Sequence, residues 1–241
     1  MQIRVINPNT TLSMTAKIDA AARSAAANGT KVVSVSPEMG PASIEGHYDE
    51  AIAVPGLLAE IAKGESDGAD GYVIACFGDP GLLAAREIAT GPVLGIAEAA
   101  MHAASMIATG FSVVTTLERT CVIAEQLVHN YGMTRHCRRI RAADVAVLEL
   151  EEPGSSARHR ILAECRAALA EDRSGAIVLG CAGMTDLCDD LSRELGVPVI
   201  DGVAVAVKML EALVSLGLRT SKHGDLAWPI AKAGGWQGKR A

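Results

Sequence analysis

Two apolar runs that each end in a cysteine and a turn constrain this chain more than any other feature. Residues 71–80 (GYVIACFGDP) and residues 175–184 (GAIVLGCAGM) pass through a short apolar stretch to Cys76 and Cys181. A second pair of matching strings, GPVLGI and VPVID, follows the two cysteines. The cysteines are 105 residues apart and the prolines of the second pair are 106 residues apart. A repeat of about a hundred residues has the size of a domain, so the chain is predicted to be an internal duplication.

The duplication extends to the beginning of each half. The run IRVINPNTT at residues 3–11 is similar to FSVVTTL at residues 111–117. Each half predicts the order strand, helix, strand, helix, strand with the cysteine, helix, strand, which is typical of α/β proteins with parallel sheets. The predicted fold class is α/β, with two pseudo-symmetric Rossmann-like lobes and an active site in the cleft between them.

Composition narrows the classes of protein that fit. At 241 residues and 49% hydrophobic content, the chain can bury a substantial core. Polar residues occupy the N-terminal region where a secretory signal would be apolar, and no apolar stretch reaches the roughly 20 residues that cross a bilayer. We therefore expect a cytoplasmic protein with no membrane partner. The net charge of −6 disfavours a nucleic-acid partner, and the basic stretch at residues 135–141 is better explained as a solvated edge than as a phosphate site.

The remaining cysteines and the histidines give weaker signals. Six cysteines in an intracellular chain are not expected to form disulfides, and they show no CxxC or paired Cys/His spacing. No metal site and no cofactor are predicted. A catalytic role for His47 is weaker than a place in a loop or at a helix N-terminus. Four cysteines have no partner in the repeat and are interpreted as inert, namely Cys121, Cys137, Cys165 and Cys188.

Cys76 and Cys181 differ from the other cysteines in their location. Each lies at the carboxyl end of a predicted buried strand, where open α/β sheets place their ligands, and each precedes a predicted helix. The positive partial charge of a helix N-terminus is expected to lower the pKa of a nearby thiol. Either thiol is therefore predicted to act as a base.

The helices after the two cysteines are expected to begin with the residues that cap helices well. Asp79 is predicted to cap the first of these helices and Pro80 to occupy its first turn. Thr185 and Asp186 are predicted to do the same after Cys181. Both helix N-termini would then lie next to a cysteine.

Two equivalent acid/base groups on opposite sides of a cleft suit the racemisation of a carbon acid. One thiolate removes the proton, the opposite thiol delivers another to the other face, and a planar enolate lies between the two steps. Backbone N–H groups in the turns at residues 77–79 and 182–184 are expected to stabilise that enolate, with Gly78 and Gly183 allowing close approach. A decarboxylase or isomerase with one thiol and a non-catalytic two-lobed binding protein remain alternatives.

Four strings carry a resemblance to a known family. They are NPNTT at residues 7–11, CFGDPGL from Cys76, VVTT at residues 113–116 and GCAGM around Cys181. They are similar to the strings of the hydantoin racemases, including allantoin racemases, in the aspartate/glutamate racemase superfamily. The resemblance implies a cofactor-independent racemase with Cys76 and Cys181 as its two bases.

The residues that follow the cysteines bear on the substrate. Amino-acid racemases of the superfamily have Asn-Thr or Thr-His there, whereas this chain has Phe-Gly and Ala-Gly, so a neutral cyclic ureide fits better than a free α-amino acid. Another amino-acid-type racemase or isomerase of the superfamily remains the alternative. Asn9 could instead begin a helix by capping it. The predicted substrate-binding residues are Asn9, Phe77, Gly78, Thr115, Thr116, Ala182 and Gly183.

The resemblance also implies lobes that interleave along the chain. Lobe one, with Cys76, would comprise residues 1–97 plus 206–241, and lobe two, with Cys181, residues 98–205. The glycine-rich segment at residues 233–240 is expected to be disordered or docked on a neighbouring subunit of a homo-oligomer. Allantoin and amino-acid-derived hydantoins are both left open as substrates.

Overall fold

Two four-stranded parallel sheets form the framework of the protein. The computed structural model describes residues 1–230 and residue 232. The strand order is β2-β1-β3-β4 in the first sheet and β6-β5-β7-β8 in the second, so the second sheet repeats the first strand for strand. The predicted duplication and the α/β fold class are confirmed. The strands are β1 (Gln2–Ile6), β2 (Lys31–Val35), β3 (Gly71–Ile74), β4 (Val93–Gly95), β5 (Phe111–Thr115), β6 (Cys137–Ala142), β7 (Ala176–Leu179) and β8 (Val199–Ile200).

Helices join consecutive strands in both halves, as parallel pairing requires. The seven elements from β1 to β4 and the seven from β5 to β8 follow the predicted order in each half. The helices are α1 (Leu12–Ala25), α2 (His47–Ser66), α3 (Leu82–Ile88), α4 (Ile96–Ile107), α5 (Glu118–Asn130), α6 (Ala157–Glu171), α7 (Cys188–Leu195) and α8 (Gly202–Ser215).

The short apolar runs form central strands that are covered on both faces. Every residue of β3, β5 and β7 is buried, as expected for strands inside a parallel sheet. The register pairs Ile6 with Ile74 in the first sheet and Val114 with Leu179 in the second. The carboxyl ends of β1 and β3 therefore lie side by side in the first sheet, and those of β5 and β7 lie side by side in the second.

Two helices pack across the halves of the chain. Helix α4, which follows the first sheet in sequence, contacts β7 and β8 of the second. Helix α8, which follows the second sheet, contacts β3 and β4 of the first. The helices also pack against each other, and one apolar core reaches both sheets. The lobe boundaries at residues 97 and 205 stay a prediction.

The basic stretch lies mostly in β6, the edge strand of the second sheet. Arg139 is exposed, whereas Arg141 is buried and forms ion pairs with Asp172 at 2.7 Å and Glu171 at 2.6 Å. The Arg141 guanidinium is thus already paired, and the expectation that this stretch holds no phosphate site stays a prediction.

In the part of the chain that the structure describes, no helix is both long enough and apolar enough to cross a membrane. The segment at residues 233–240 lies outside the described residues, so its predicted disorder or docking stays a prediction.

Candidate active site

A cavity lies where the carboxyl ends of the two sheets meet. Its empty volume, including the open mouth, is about 560 Å³. Gly183, the ninth of the predicted site residues, lies beside it and donates its N–H to Cys181 Sγ at 3.4 Å. The other eight predicted residues line the cavity, namely Asn9, Cys76, Phe77, Gly78, Thr115, Thr116, Cys181 and Ala182.

The two thiols enter the cavity from equivalent loops of opposite sheets. Cys76 follows β3 and Cys181 follows β7. Burial raises the pKa of Cys181 to about 11 and the pKa of Cys76 still further above its ordinary value. A negative charge on Cys181 raises the pKa of Cys76 more. The charge of one thiolate therefore opposes the ionisation of the other thiol.

The predicted lowering of the thiol pKa is wrong. Helix α3 begins at Leu82, after Gly81, and α7 begins at Cys188, so neither α-helix N-terminus lies next to Cys76 or Cys181. A 3-10 helix, Ala182–Leu187, follows Cys181 instead. Desolvation of the thiols outweighs the single N–H bond that each sulfur accepts.

The predicted helix caps after the cysteines are also wrong. The N-cap of α3 is Gly81, so Asp79 and Pro80 both precede the helix. After Cys181, the predicted caps Thr185 and Asp186 lie inside the 3-10 helix, whose N-cap is Cys181 itself. These residue types are common at helix N-termini. Here, however, each of them lies in the turn or 3-10 helix that directly follows the strand.

Asp79 caps a different helix. Its carboxylate accepts hydrogen bonds from the N–H groups of Ala97 at 3.1 Å and Glu98 at 2.9 Å, in the first turn of α4, and from the Tyr131 hydroxyl at 2.7 Å. Burial raises the pKa of Asp79 to about 7, and these bonds oppose the rise. Asp79 thereby connects the loop of Cys76 to the first turn of α4 and to Tyr131, which directly follows α5.

Replacing Asp79 by alanine leaves two backbone N–H groups and one hydroxyl without their acceptor. We expect Asp79→Ala to lower the free energy of unfolding by about 3–5 kcal/mol, measured by urea denaturation. The exposed Asp225 provides the control, and Asp225→Ala should change the same quantity by less than about 0.5 kcal/mol. Equal stabilities for the two variants would contradict the role given to Asp79.

The two turns use their N–H groups in the same way. In each turn the second N–H after the cysteine bonds to the cysteine sulfur, and the third bonds to the cysteine carbonyl oxygen. The donors are Gly78 and Asp79 in one turn and Gly183 and Met184 in the other. Four of the six N–H groups expected to stabilise an enolate are therefore already engaged. Those of Phe77 and Ala182 have no acceptor among the described residues.

Other polar residues of the cavity come from the end of β5 and from the loops after β1 and β5. The Thr115 hydroxyl donates to Gly180 O at 3.2 Å, whereas the Thr116 hydroxyl has no hydrogen-bond partner within the described residues. Asn9 Oδ1 accepts from Thr11 N at 2.9 Å, and Thr11 is the N-cap of α1, although its side chain does not cap the helix. Asn9 thus shapes the loop and does not cap the helix.

Several residues of the cavity carry no signal in the sequence. Glu50, from the first turns of α2, lines the cavity, and its side chain is 19% exposed. His47, one turn earlier, is 62% exposed and absent from the cavity wall, which removes it as a catalytic candidate. Phe77 lines the cavity as predicted and also packs in the core. The larger apolar residues that the sequence analysis missed are Met14, Ile44, Ile123 and Val147.

The other cysteines stay outside the cavity, and all six are free thiols. Cys137 lies in strand β6. Among the residues that the structure describes, no group of three or more metal-ligating side chains could hold a metal ion.

A family model, described as Asp/Glu/Hydantoin racemase, matches residues 3–210, which include both sheets and every residue of the cavity. The chain belongs to that family. A hydantoin racemase of Rhizobium meliloti from this family is 54% identical over 97% of both chains. An allantoin racemase from Klebsiella pneumoniae is 60% identical, with a TM-score of 0.96 over 98% of this chain and 97% of that one. An allantoin racemase from Pseudomonas fluorescens is 38% identical, with a TM-score of 0.92 over 96% and 98%. The family resemblance inferred from the cysteine strings is confirmed.

Proposed function

We propose that this chain is a racemase of 5-substituted hydantoins that needs no cofactor, with Cys76 and Cys181 as its two bases. The observation that carries the proposal is the convergence of the two thiols, from equivalent loops of opposite sheets, on one cavity. High identity to a hydantoin racemase and to an allantoin racemase supports the same reaction. Allantoin also carries the hydantoin ring, so both relatives act on a five-membered cyclic ureide.

The proposed reaction moves one proton off C5 of the ring and another onto its opposite face. The thiolate of one cysteine takes the C5 proton, and the electron pair passes to the C4 carbonyl oxygen to give an enolate. The thiol of the other cysteine then protonates C5, and it becomes the thiolate. Because the charge of one thiolate opposes ionisation of the other thiol, the reactive form of the site carries one base and one acid, and the two thiols exchange these roles in the reverse direction.

The enolate oxygen needs donors that no other group already uses. The N–H groups of Phe77 and Ala182, together with the Thr116 hydroxyl, fit that role because all three residues line the cavity. The three donors come from loops of both sheets.

The lining of the cavity favours a neutral substrate over a free amino acid. No arginine, lysine or histidine is among the described residues that line it. An α-carboxylate would therefore be desolvated without a cationic partner and would face the Glu50 carboxyl. This observation disfavours the alternative of an amino-acid racemase.

A substrate panel tests the proposed function. Single enantiomers of allantoin and of amino-acid-derived 5-substituted hydantoins should lose their optical rotation faster with the protein than in buffer alone. Aspartate and glutamate should keep theirs. Racemisation of a free amino acid, or of no hydantoin in the panel, would contradict the proposal.

We further propose that the protein works in the cytoplasm as a homo-oligomer and takes no nucleic-acid or membrane partner. Six free thiols suit a reducing compartment. Tyr48 and Ile52 lie one turn apart on α2 as exposed apolar side chains, and the exposed Leu83 lies on α3, which packs against α2. An apolar surface of this kind is typical of a contact between subunits. Light scattering measures the mass in solution.

A further inference from the structure

Glu50 is the only charged residue among the described residues that line the cavity. It reaches the cavity from α2 and lies directly against the turn after Cys76. A Cβ atom at Gly78 would overlap Glu50 Oε1, so the missing side chain of Gly78 makes room for this carboxyl. The negative charge of Glu50 also acts on Cys76 and raises the pKa of that thiol. The carboxyl is thus within electrostatic reach of one reacting group.

The two oxygens of the Glu50 carboxyl have different surroundings. Oε2 lies 3.6 Å from His47 Nδ1, at the exposed side of the helix. Oε1 is buried and has no hydrogen-bond partner among the described residues. A buried carboxylate oxygen without a donor costs free energy, because nothing replaces the water that it has lost. A donor on a bound substrate would remove that cost.

We propose that Glu50 binds the substrate by accepting a hydrogen bond from a ring N–H of the cyclic ureide. This inference rests on the proposed function and names one residue that selects the substrate. A hydantoin ring alternates N–H donors with carbonyl acceptors. The cavity offers matching groups, with donors at Phe77, Ala182 and Thr116 and an acceptor at Glu50.

The position and charge of Glu50 argue for binding and against proton transfer at C5. A carboxylate next to the developing enolate oxygen would repel its negative charge, so Glu50 must face a part of the ring that does not become negative. A hydrogen bond to a ring N–H that stays neutral has the same strength in the bound substrate and in the transition state. Its loss therefore raises KM and leaves kcat nearly unchanged.

Two variants and two modified substrates test the inference. Glu50→Met keeps the size of the side chain and removes the acceptor, and it should raise KM for a hydantoin about ten- to a hundredfold with kcat within about threefold. Glu50→Gln retains a carbonyl oxygen and should recover part of the loss. The unaltered chain should discriminate against either the N1-methyl or the N3-methyl form of that hydantoin. Glu50→Met should treat this form and the unmethylated hydantoin nearly alike.

The exposed Glu38 provides the matched control, because Glu38→Met removes the same charge outside the cavity and should leave KM unchanged. An unchanged KM in Glu50→Met, or a fall in kcat at constant KM, would overturn the inference. If that variant does not fold, the unaltered chain still tests the inference. Equal kcat/KM values for the N1-methyl, the N3-methyl and the unmethylated hydantoin would overturn it. Failure of the proposed function is seen separately, as the absence of racemisation of every hydantoin by the unaltered chain.

Discussion

Cys76→Ser and Cys181→Ser should each lower the racemisation rate of a hydantoin by at least about a thousandfold. Each turnover needs a base on one face of C5 and an acid on the other, and a serine hydroxyl ionises far less readily than a thiol. The measurement is the loss of optical rotation from each enantiomer, corrected for the rate in buffer. Cys188→Ser is the control, because Cys188 lies outside the active-site cavity and serine keeps its hydrogen bond to Val199 O.

Exchange with solvent should survive selectively in these two variants. In deuterated water, the remaining thiolate can still remove the C5 proton from the enantiomer that faces it and return deuterium to the same face. Each variant should therefore exchange one enantiomer without inverting it, and the two variants should exchange opposite enantiomers. Exchange of the same enantiomer by both, or racemisation at the unaltered rate by either, would show that the thiols are not opposed bases.

The value of kcat/KM should rise about tenfold per pH unit between pH 6 and 8. The reactive form of the free protein carries one thiolate, and burial raises the pKa of Cys181 to about 11 and that of Cys76 further. At pH 7 only a small fraction of the molecules then holds the thiolate. Because the raised pKa lies above the working range, activity is gained as pH rises and lost as it falls.

The two enantiomers should give the same pH profile, since enantiomers with one stereocentre are equally stable and their kcat/KM values must be equal at every pH. Initial rates from each enantiomer at low substrate concentration measure this. A flat profile between pH 6 and 8 would mean that the thiolate already exists in the free protein, and would contradict the effect of burial on the thiol pKa. Cys188→Ser should reproduce the profile of the unaltered chain.

The fold could be predicted from sequence because the duplication repeats local patterns. The equal spacing of Cys76 and Cys181 from their matching strings needs no knowledge of contacts, and each short apolar run became a buried central strand. Parallel strands end at a common edge, which explains why Asn9 and Thr116 reached the cavity as predicted. These inferences use chain order and periodicity alone.

The predictions that were wrong or incomplete depend on interactions between residues that are distant in the chain. Asp79 followed by Pro80 has the local character of a helix start, yet the carboxylate bonds to α4 and Tyr131, which no local rule can indicate. Glu50 looks like any acidic residue in the first turns of a helix until α2 is packed against the turn after Cys76. The thiol pKa was misjudged for the same reason, because desolvation depends on the whole assembly of loops around the sulfur.

Because α4 and α8 each pack against the sheet of the other half, the order in which the chain is synthesised limits when each half can fold. A chain that has emerged only as far as β4 has made its first sheet but lacks α8, which covers β3 and β4. Helix α4 emerges next, although its partners β7 and β8 are made only near the end. The first half therefore cannot complete its core before residues 202–215 leave the ribosome, and the two copies of the repeat must fold as one unit.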